Sequence, residues 1–225
     1  MIIIVPTCQR EGYQEGINTF ISNIETEGCS KLPAYVSDET VRGVLPKMQW
    51  GLEHFLEQDI LCYLHDDVVC REPGWDKRVL GQFSNPQVGV VGFGGSLWHG
   101  DPDIYKKPYH ISQLGRSYYL SNVDNAEVHG GRFNGECDVA TVDGFALVVR
   151  RSLLEKAGGW PVSTYSPHHN YDYWITLMAH RLGYKVRLVG IRCHHWGGRT
   201  SVTSEYQQWA ATTKWGSDAK MHEAG

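Results

Sequence analysis

The apolar run Ile60-Leu61-Cys62-Tyr63-Leu64 is followed, after His65, by two adjacent carboxylates, Asp66 and Asp67. A short apolar run of this kind reads as a buried strand. Strand interiors disfavour Asp, so the pair marks the place where the strand stops. Two neighbouring carboxylates repel each other, and a divalent cation relieves that repulsion. In an open α/β sheet the end of such a strand is where ligands bind. The competing reading is a solvated turn, and the residues from Tyr63 to Val68 do not decide between the two.

The residues before this run constrain the fold. Ile2-Ile3-Ile4-Val5, stopped by Pro6-Thr7, reads as the buried first strand of a parallel sheet. Ile17, Phe20, Ile21 and Ile24 mark one helix face, and Gly28 ends that segment. Pro33-Ala34-Tyr35-Val36-Ser37 reads as a second strand ending at Asp38-Glu39-Thr40. A second helix follows, with Pro46 in its first turn and Leu45, Met48, Leu52 and Leu56 inward. The order is β-α-β-α-β, which predicts an α/β fold: a Rossmann-like, mostly parallel sheet with flanking helices. No glycine-rich loop follows the first strand, which argues against a dinucleotide site and a P-loop.

Downstream, a short helix follows Pro73-Gly74-Trp75 and runs to about Phe83, and Val88 to Phe93 reads as a strand. Residues 96–138 have weak periodicity and read as a binding loop or lid. Val139 to Val149 reads as strand, break, strand, and Ser152 is placed to cap a helix over Leu153–Ala157. A helix from Asp172 carries Ile175, Met178, Ala179 and Leu182 on one side. Val186 to Cys193 is a last core strand running into His194-His195-Trp196-Gly197-Gly198.

Composition narrows the function. The formal net charge of −4, with no long basic run, argues against non-specific duplex binding by a broad basic surface. No run of 18 apolar residues suggests a membrane span, and the first residues do not form a signal peptide. The six cysteines form no C-x-x-C pair and read as reduced thiols, predicting a cytoplasmic protein (host cytoplasm if the source is viral). Cys193-His194-His195 lacks the second Cys/His pair that a structural zinc site needs.

Four segments together resemble the GT-A glycosyltransferases, specifically the family 2 type. They are Ile3 to Arg10; Leu64-His65-Asp66-Asp67-Val68 with Pro73-Gly74-Trp75; Val142-Asp143-Gly144-Phe145-Ala146 through Arg150-Arg151 and Gly158-Gly159-Trp160; and Tyr171-Asp172-Tyr173-Trp174 with Arg181, Gly183 and Tyr184. His65 stands where the family often has another Asp, Tyr171 where Glu often precedes the catalytic Asp, and Trp174 in place of a frequent later acid. The resemblance implies one GT-A domain over 1–205, with a nucleotide-binding half (1–95) and an acceptor-binding half (96–205), followed by a tail (206–225). It implies an inverting hexosyl- or pentosyltransferase using a nucleoside-diphosphate sugar, a UDP-sugar first, with Mn²⁺ or Mg²⁺.

On that resemblance Asp67 ligates the metal through its DxD-like position, and Asp66 holds ribose or a metal-bound water. His194 or His195 supplies a nitrogen; strand alternation admits only one, and His194 is favoured. Asp172 is the base that deprotonates the acceptor hydroxyl, although an Asp at a helix start is commonly a cap. Thr7, Arg10, Glu11 and Asp38 lie at the nucleotide, Asp143 and Gly144 at the sugar, and Arg199 at the diphosphate. Trp98, Trp160 and Trp174 are expected to stack on sugar or acceptor rings, against their commoner fate in a core. The acceptor is expected to be a glycan, with a hydroxymethylated DNA base as an outlier suggested by Lys106, Lys107, Arg116 and Arg132. The competing classes are a nucleotidyltransferase or pyrophosphorylase, which would want a glycine-rich basic loop after the first strand, and an inactive sugar-binding module, which would not need Asp67, His194 and Asp172 together.

Overall fold

The β-branched residues at the start form the first buried strand, β1 (Ile2–Pro6), with Ile3, Ile4 and Val5 sealed from solvent. This computed structural model describes residues 1–7, 14–36, 43–97, 119–124, 131–162 and 171–196. After β1 come α1 (Gln14–Ser22), β2 (Ala34–Val36), α2 (Val44–His54), β3 (Ile60–Leu64), β4 (Val68–Cys70), α3 (Trp75–Phe83), β5 (Val88–Gly92) and β6 (Gly94–Ser96). The second half holds β7 (Tyr119–Ser121), β8 (Gly131–Arg132), β9 (Glu136–Asp138), β10 (Thr141–Val142), β11 (Ala146–Arg150), α4 (Arg151–Ala157), α5 (Tyr171–Arg181), β12 (Lys185–Val189) and β13 (Cys193–His195).

Seven strands form the central sheet in the order β2-β1-β3-β11-β5-β12-β9. β1 pairs in parallel with β2 and β3, and β12 with β5. β11 lies antiparallel between β3 and β5, and β9 antiparallel on β12. The sheet is therefore mixed but mostly parallel, as the β-α-β-α-β start predicts. The reversed β11 matters for the site. Its N-terminal start lies beside the C-terminal end of β3, so the residues just before it, Asp143 and Gly144, meet the residues just after β3.

Alternation along the strands feeds two cores, one on each face of the sheet. Ile3 and Val5 join Ile17, Phe20, Trp75 and Val79 under α1 and α3. Ile2 and Ile4 join Met48, Leu52, Leu154 and Ile175 under α2, α4 and α5. The Pro73-Gly74-Trp75 turn is held by packing and hydrogen bonds. Trp75 is fully buried and its Nε1 donates to the Phe20 carbonyl at 2.9 Å. The buried Asp76 carboxylate accepts the Glu25 and Thr26 amides at 3.0 and 2.7 Å.

Several local expectations are corrected. α2 ends at His54, so Leu56 falls beyond it and is 69% exposed rather than inward. Ser152 lies inside α4; Arg150 occupies the cap position, without a side-chain cap bond. Arg150 and Arg151, at the junction of β11 and α4, are both anchored on backbone carbonyls. Arg150 donates to the carbonyls of Phe83, Asn85 and Val88, and Arg151 to those of Leu52, Phe55 and Gln58. In α5, Thr176 rather than Met178 is buried beside Ile175 and Ala179. The stretch from Val186 to Cys193 is two strands, because Gly190 to Arg192 leave the central sheet and β13 pairs with β4 instead. The five cysteines among the described residues are free thiols. No helix among the described residues is long and apolar enough to cross a membrane.

Candidate active site

Asp66 and Asp67 stand just past the C-terminal end of β3, and the two carboxylates face different neighbours. Thr7, one residue past β1, donates its hydroxyl to Asp66 Oδ2 at 2.6 Å. The Thr7 carbonyl accepts from the buried Lys47 Nζ at 2.5 Å. Burial raises the Asp66 pKa above the ordinary value, with the Thr7 bond opposing it. Asp67 is buried and turns towards β13, where its Oδ1 lies 3.3 Å from His195 Nε2. Burial alone would raise its pKa. The hydrogen bond and charge of His195, with His65 behind them, outweigh burial and hold the Asp67 carboxyl below the usual range.

The choice between the two histidines follows from β13. That strand pairs antiparallel with β4, with His195 opposite Val68 and His194 opposite Val69. Alternation sends the buried His195 ring inward, stacked on Phe145 at 4.8 Å. His194 goes the other way and sets its ring edge-on to Trp196. The preference for His194 is thereby corrected in favour of His195.

His65 joins this group. Its Nδ1 lies 3.9 Å from Asp67 Oδ1, and its ring centroid 5.7 Å from that of His195. One ligand atom from each of His65, Asp67 and His195 fits within 4.8 Å of the others, the clustering a metal ion requires. Partial burial, and then the proximity of His195, pull the His65 pKa down. Its ring is therefore neutral at pH 7, the form that ligates metals. Two imidazoles and one carboxylate suit a first-row divalent ion, so the residues present fit a metal.

Asp172 lies at the start of α5, against the Asp143-Gly144 turn. Its Oδ2 accepts the Gly144 amide at 3.1 Å and its Oδ1 the Tyr173 amide at 2.8 Å. Helix-start geometry would lower its pKa. Burial, followed by the nearby Asp143 charge, prevails and raises the pKa to about 6. Asp143 is itself held by Tyr119, whose hydroxyl donates at 2.7 Å. Gly144 is needed for close approach: a Cβ there would come 2.6 Å from the Tyr171 ring.

Trp160 is 4% exposed, lies edge-on to Tyr63, and donates its Nε1 to the Tyr63 hydroxyl at 3.2 Å. Its acceptor-binding assignment is corrected to core packing. Trp174 is partly buried beside Trp160, at the edge of the same core. Arg132 lies near Asp124, 3.9 Å away. Arg10, Glu11, Asp38, Trp98, Arg199 and the other loop cations Lys106, Lys107 and Arg116 lie outside the described residues, as does much of the predicted long loop.

The structure therefore brings Thr7, Asp66, Asp67, His195, Asp143, Gly144 and Asp172 to one edge of the sheet, and adds His65, Tyr171 and Lys47. Lys47 gave no usable signal, since a lysine between Leu45 and Met48 reads as the solvated side of α2.

The model of a glycosyltransferase-like family matches residues 54–215, well over half of the chain. The chain belongs to this glycosyltransferase-like family. Solved structures of similar fold agree with the GT-A architecture. A197 from STIV shares 16% identity over 88% of this chain and 85% of its own, with a TM-score of 0.51. The mannosyltransferase PcManGT from Pyrobaculum calidifontis, solved with GDP-Man and Mn²⁺, shares 14% over 92% of this chain and 59% of its own, with a TM-score of 0.52. Glucosyl-3-phosphoglycerate synthase from Mycobacterium tuberculosis, solved with Mn²⁺, UDP and glucosyl-3-phosphoglycerate, shares 13% over 97% and 78%, with a TM-score of 0.55. At such identities these likenesses show the fold of this glycosyltransferase. No curated protein matched it in sequence.

Proposed function

We propose that this glycosyltransferase moves a hexose or pentose from a nucleoside-diphosphate sugar, a UDP-sugar first, to a glycan hydroxyl with inversion at the sugar carbon. The observation that carries the reading is the juxtaposition, at one sheet edge, of the Asp67–His195 pair and an Asp172 carboxyl raised to about 6. The Mn²⁺, GDP-Man and UDP found with proteins of the same fold support it.

Asp67 and His195 would hold Mn²⁺, or less favourably Mg²⁺. Bound there, the ion would supply Lewis-acid neutralisation of the diphosphate leaving group. Thr7 and Asp66 form one wall of the nucleotide side, with Arg10, Glu11 and Asp38 assigned to the same ligand and Arg199 to the diphosphate. Asp143 and Gly144 face the sugar, and Trp98 remains assigned to the acceptor. Asp172 takes the proton from the acceptor hydroxyl as its oxygen attacks the sugar carbon opposite the departing diphosphate; one displacement inverts that centre. A carboxyl raised to about 6 is largely ionised at neutral pH, yet more basic than an ordinary Asp. The domain limits 1–205 and the cytoplasmic setting belong to the same reading.

The anomeric configuration of the product, read by proton NMR on the first turnover, tests the mechanism. Configuration opposite to the donor's is expected, and Asp172→Asn should bind donor yet fail to transfer. Retained configuration would refute inversion and the single-base role together.

A further inference from the structure

His65 and Tyr171, two of the residues at which the chain departs from its family's pattern, are in contact. His65 Nε2 lies 2.5 Å from the Tyr171 hydroxyl. That hydroxyl also lies 3.5 Å from the Gly144 carbonyl; when it donates there, its oxygen accepts from the Nε2–H tautomer of His65. In that tautomer the proton sits on Nε2 and the Nδ1 lone pair is free on the side where Asp67 Oδ1 lies 3.9 Å away. A ligating histidine with its far nitrogen bonded in this way has a fixed tautomer and ring orientation. The support is rigid: Tyr171 is buried at the start of α5, and Gly144 has no Cβ to block its ring.

The spacing suits coordination. An ion at roughly 2.1 Å from nitrogen and oxygen donors separates neighbouring donors by about 3 to 3.4 Å. Asp67 and His195 already stand 3.3 Å apart, and His65, 3.9 Å from Asp67 and within 4.8 Å of both, needs a shift on the order of 1 Å to match. We propose that His65 Nδ1 is a third protein ligand, making a two-histidine, one-carboxylate site that selects Mn²⁺ and similar first-row ions over Mg²⁺, with Tyr171 as its positioning residue. Imidazole favours transition ions, whereas Mg²⁺ favours an oxygen shell. Three ligands from one side leave the remaining positions open to phosphate oxygens and water. The inference rests on the reading of Asp67 and His195 as metal ligands.

The test uses the whole chain, Mn²⁺ alone and no sugar donor. Pulsed EPR of bound Mn²⁺ counts the coordinated imidazole nitrogens, and titration gives affinity with Mg²⁺ as competitor. The wild type should show two nitrogens and resist Mg²⁺. His65→Asn should show one nitrogen and bind Mn²⁺ at least about tenfold more weakly. Tyr171→Phe should keep both nitrogens and lose affinity by about 10- to 100-fold. His65→Asp, which restores an oxygen donor and checks that the position tolerates replacement, should narrow the preference for Mn²⁺ over Mg²⁺.

One nitrogen in the wild type, no Mn²⁺ binding without nucleotide, or unchanged affinity in His65→Asn would each overturn the proposal. A two-nitrogen site in a protein that transfers no sugar would refute the proposed function and leave this inference standing. Mn²⁺-dependent transfer with a single nitrogen would do the reverse.

Discussion

Asp172 should set the acid limb of the pH–rate profile. Its carboxyl is raised from the ordinary 3.8 to about 6 by burial and by the Asp143 charge, and the base must be ionised to act. One pH unit below that value about one carboxyl in eleven is ionised, and one unit above it about ten in eleven. kcat/KM for transfer should therefore rise about tenfold from pH 5 to pH 7, whereas an ordinary Asp would change by less than about a tenth over the same range. The assay is sugar transfer at limiting donor, with Mn²⁺ saturating at each pH so that loss of metal does not mimic the limb. Asp143→Asn provides the control. It removes one cause of the raised pKa and should move the limb to lower pH, a response that metal release from the histidines would not show. A flat profile between about pH 5 and 7, or a limb unmoved by Asp143→Asn, would refute the assignment of the base.

Stability supplies further checks. The folded pKa of Asp172 lies above its unfolded value, so the folded protein holds that proton across the window from 3.8 to about 6 and loses stability as pH rises through it. Asp172→Asn should thus raise Tm relative to wild type at pH 7, with the gain fading once pH falls below the unfolded value; a difference independent of pH would contradict the shift. Asp76→Ala leaves two backbone amides without their carboxylate and should cost about 2–4 kcal/mol in urea unfolding; a loss under about 1 kcal/mol would make the contact incidental. Leu52→Ala should cost about 2–5 kcal/mol and Leu56→Ala under about 0.5 kcal/mol, since only Leu52 is buried; equal losses would restore the longer helix.

The strands β1, β2, β3 and β5 were legible because period and residue type act locally. Ile2 to Val5 and Ile60 to Leu64 are apolar without alternation, which is what a strand covered on both faces needs. The end of β3, with Asp66 and Asp67, was legible for the same reason. What was not legible depends on pairing between distant segments. Whether His194 or His195 faces Asp67 is set by the register of β13 on β4, which periodicity does not give. His65 is explained only by Tyr171, some hundred residues later, and by the reversed β11, just before which Gly144 lies against the Tyr171 ring. Trp160 resembled a stacking residue in sequence, but its hydrogen bond to Tyr63 and its burial place it in the core. Leu56 kept the helical spacing of Leu52 although the helix had already ended.

The central claim is that Asp67 and its histidine partner serve a nucleotide-sugar donor. Donor hydrolysis measured with and without added Mn²⁺, in the wild type and in Asp67→Ala, tests it most directly. The site described here predicts hydrolysis by the wild type that requires the added ion, and a fall of about 100-fold or more in Asp67→Ala, the several kcal/mol expected from loss of Lewis-acid assistance. Hydrolysis that proceeds without metal and is unaffected by the substitution would contradict it.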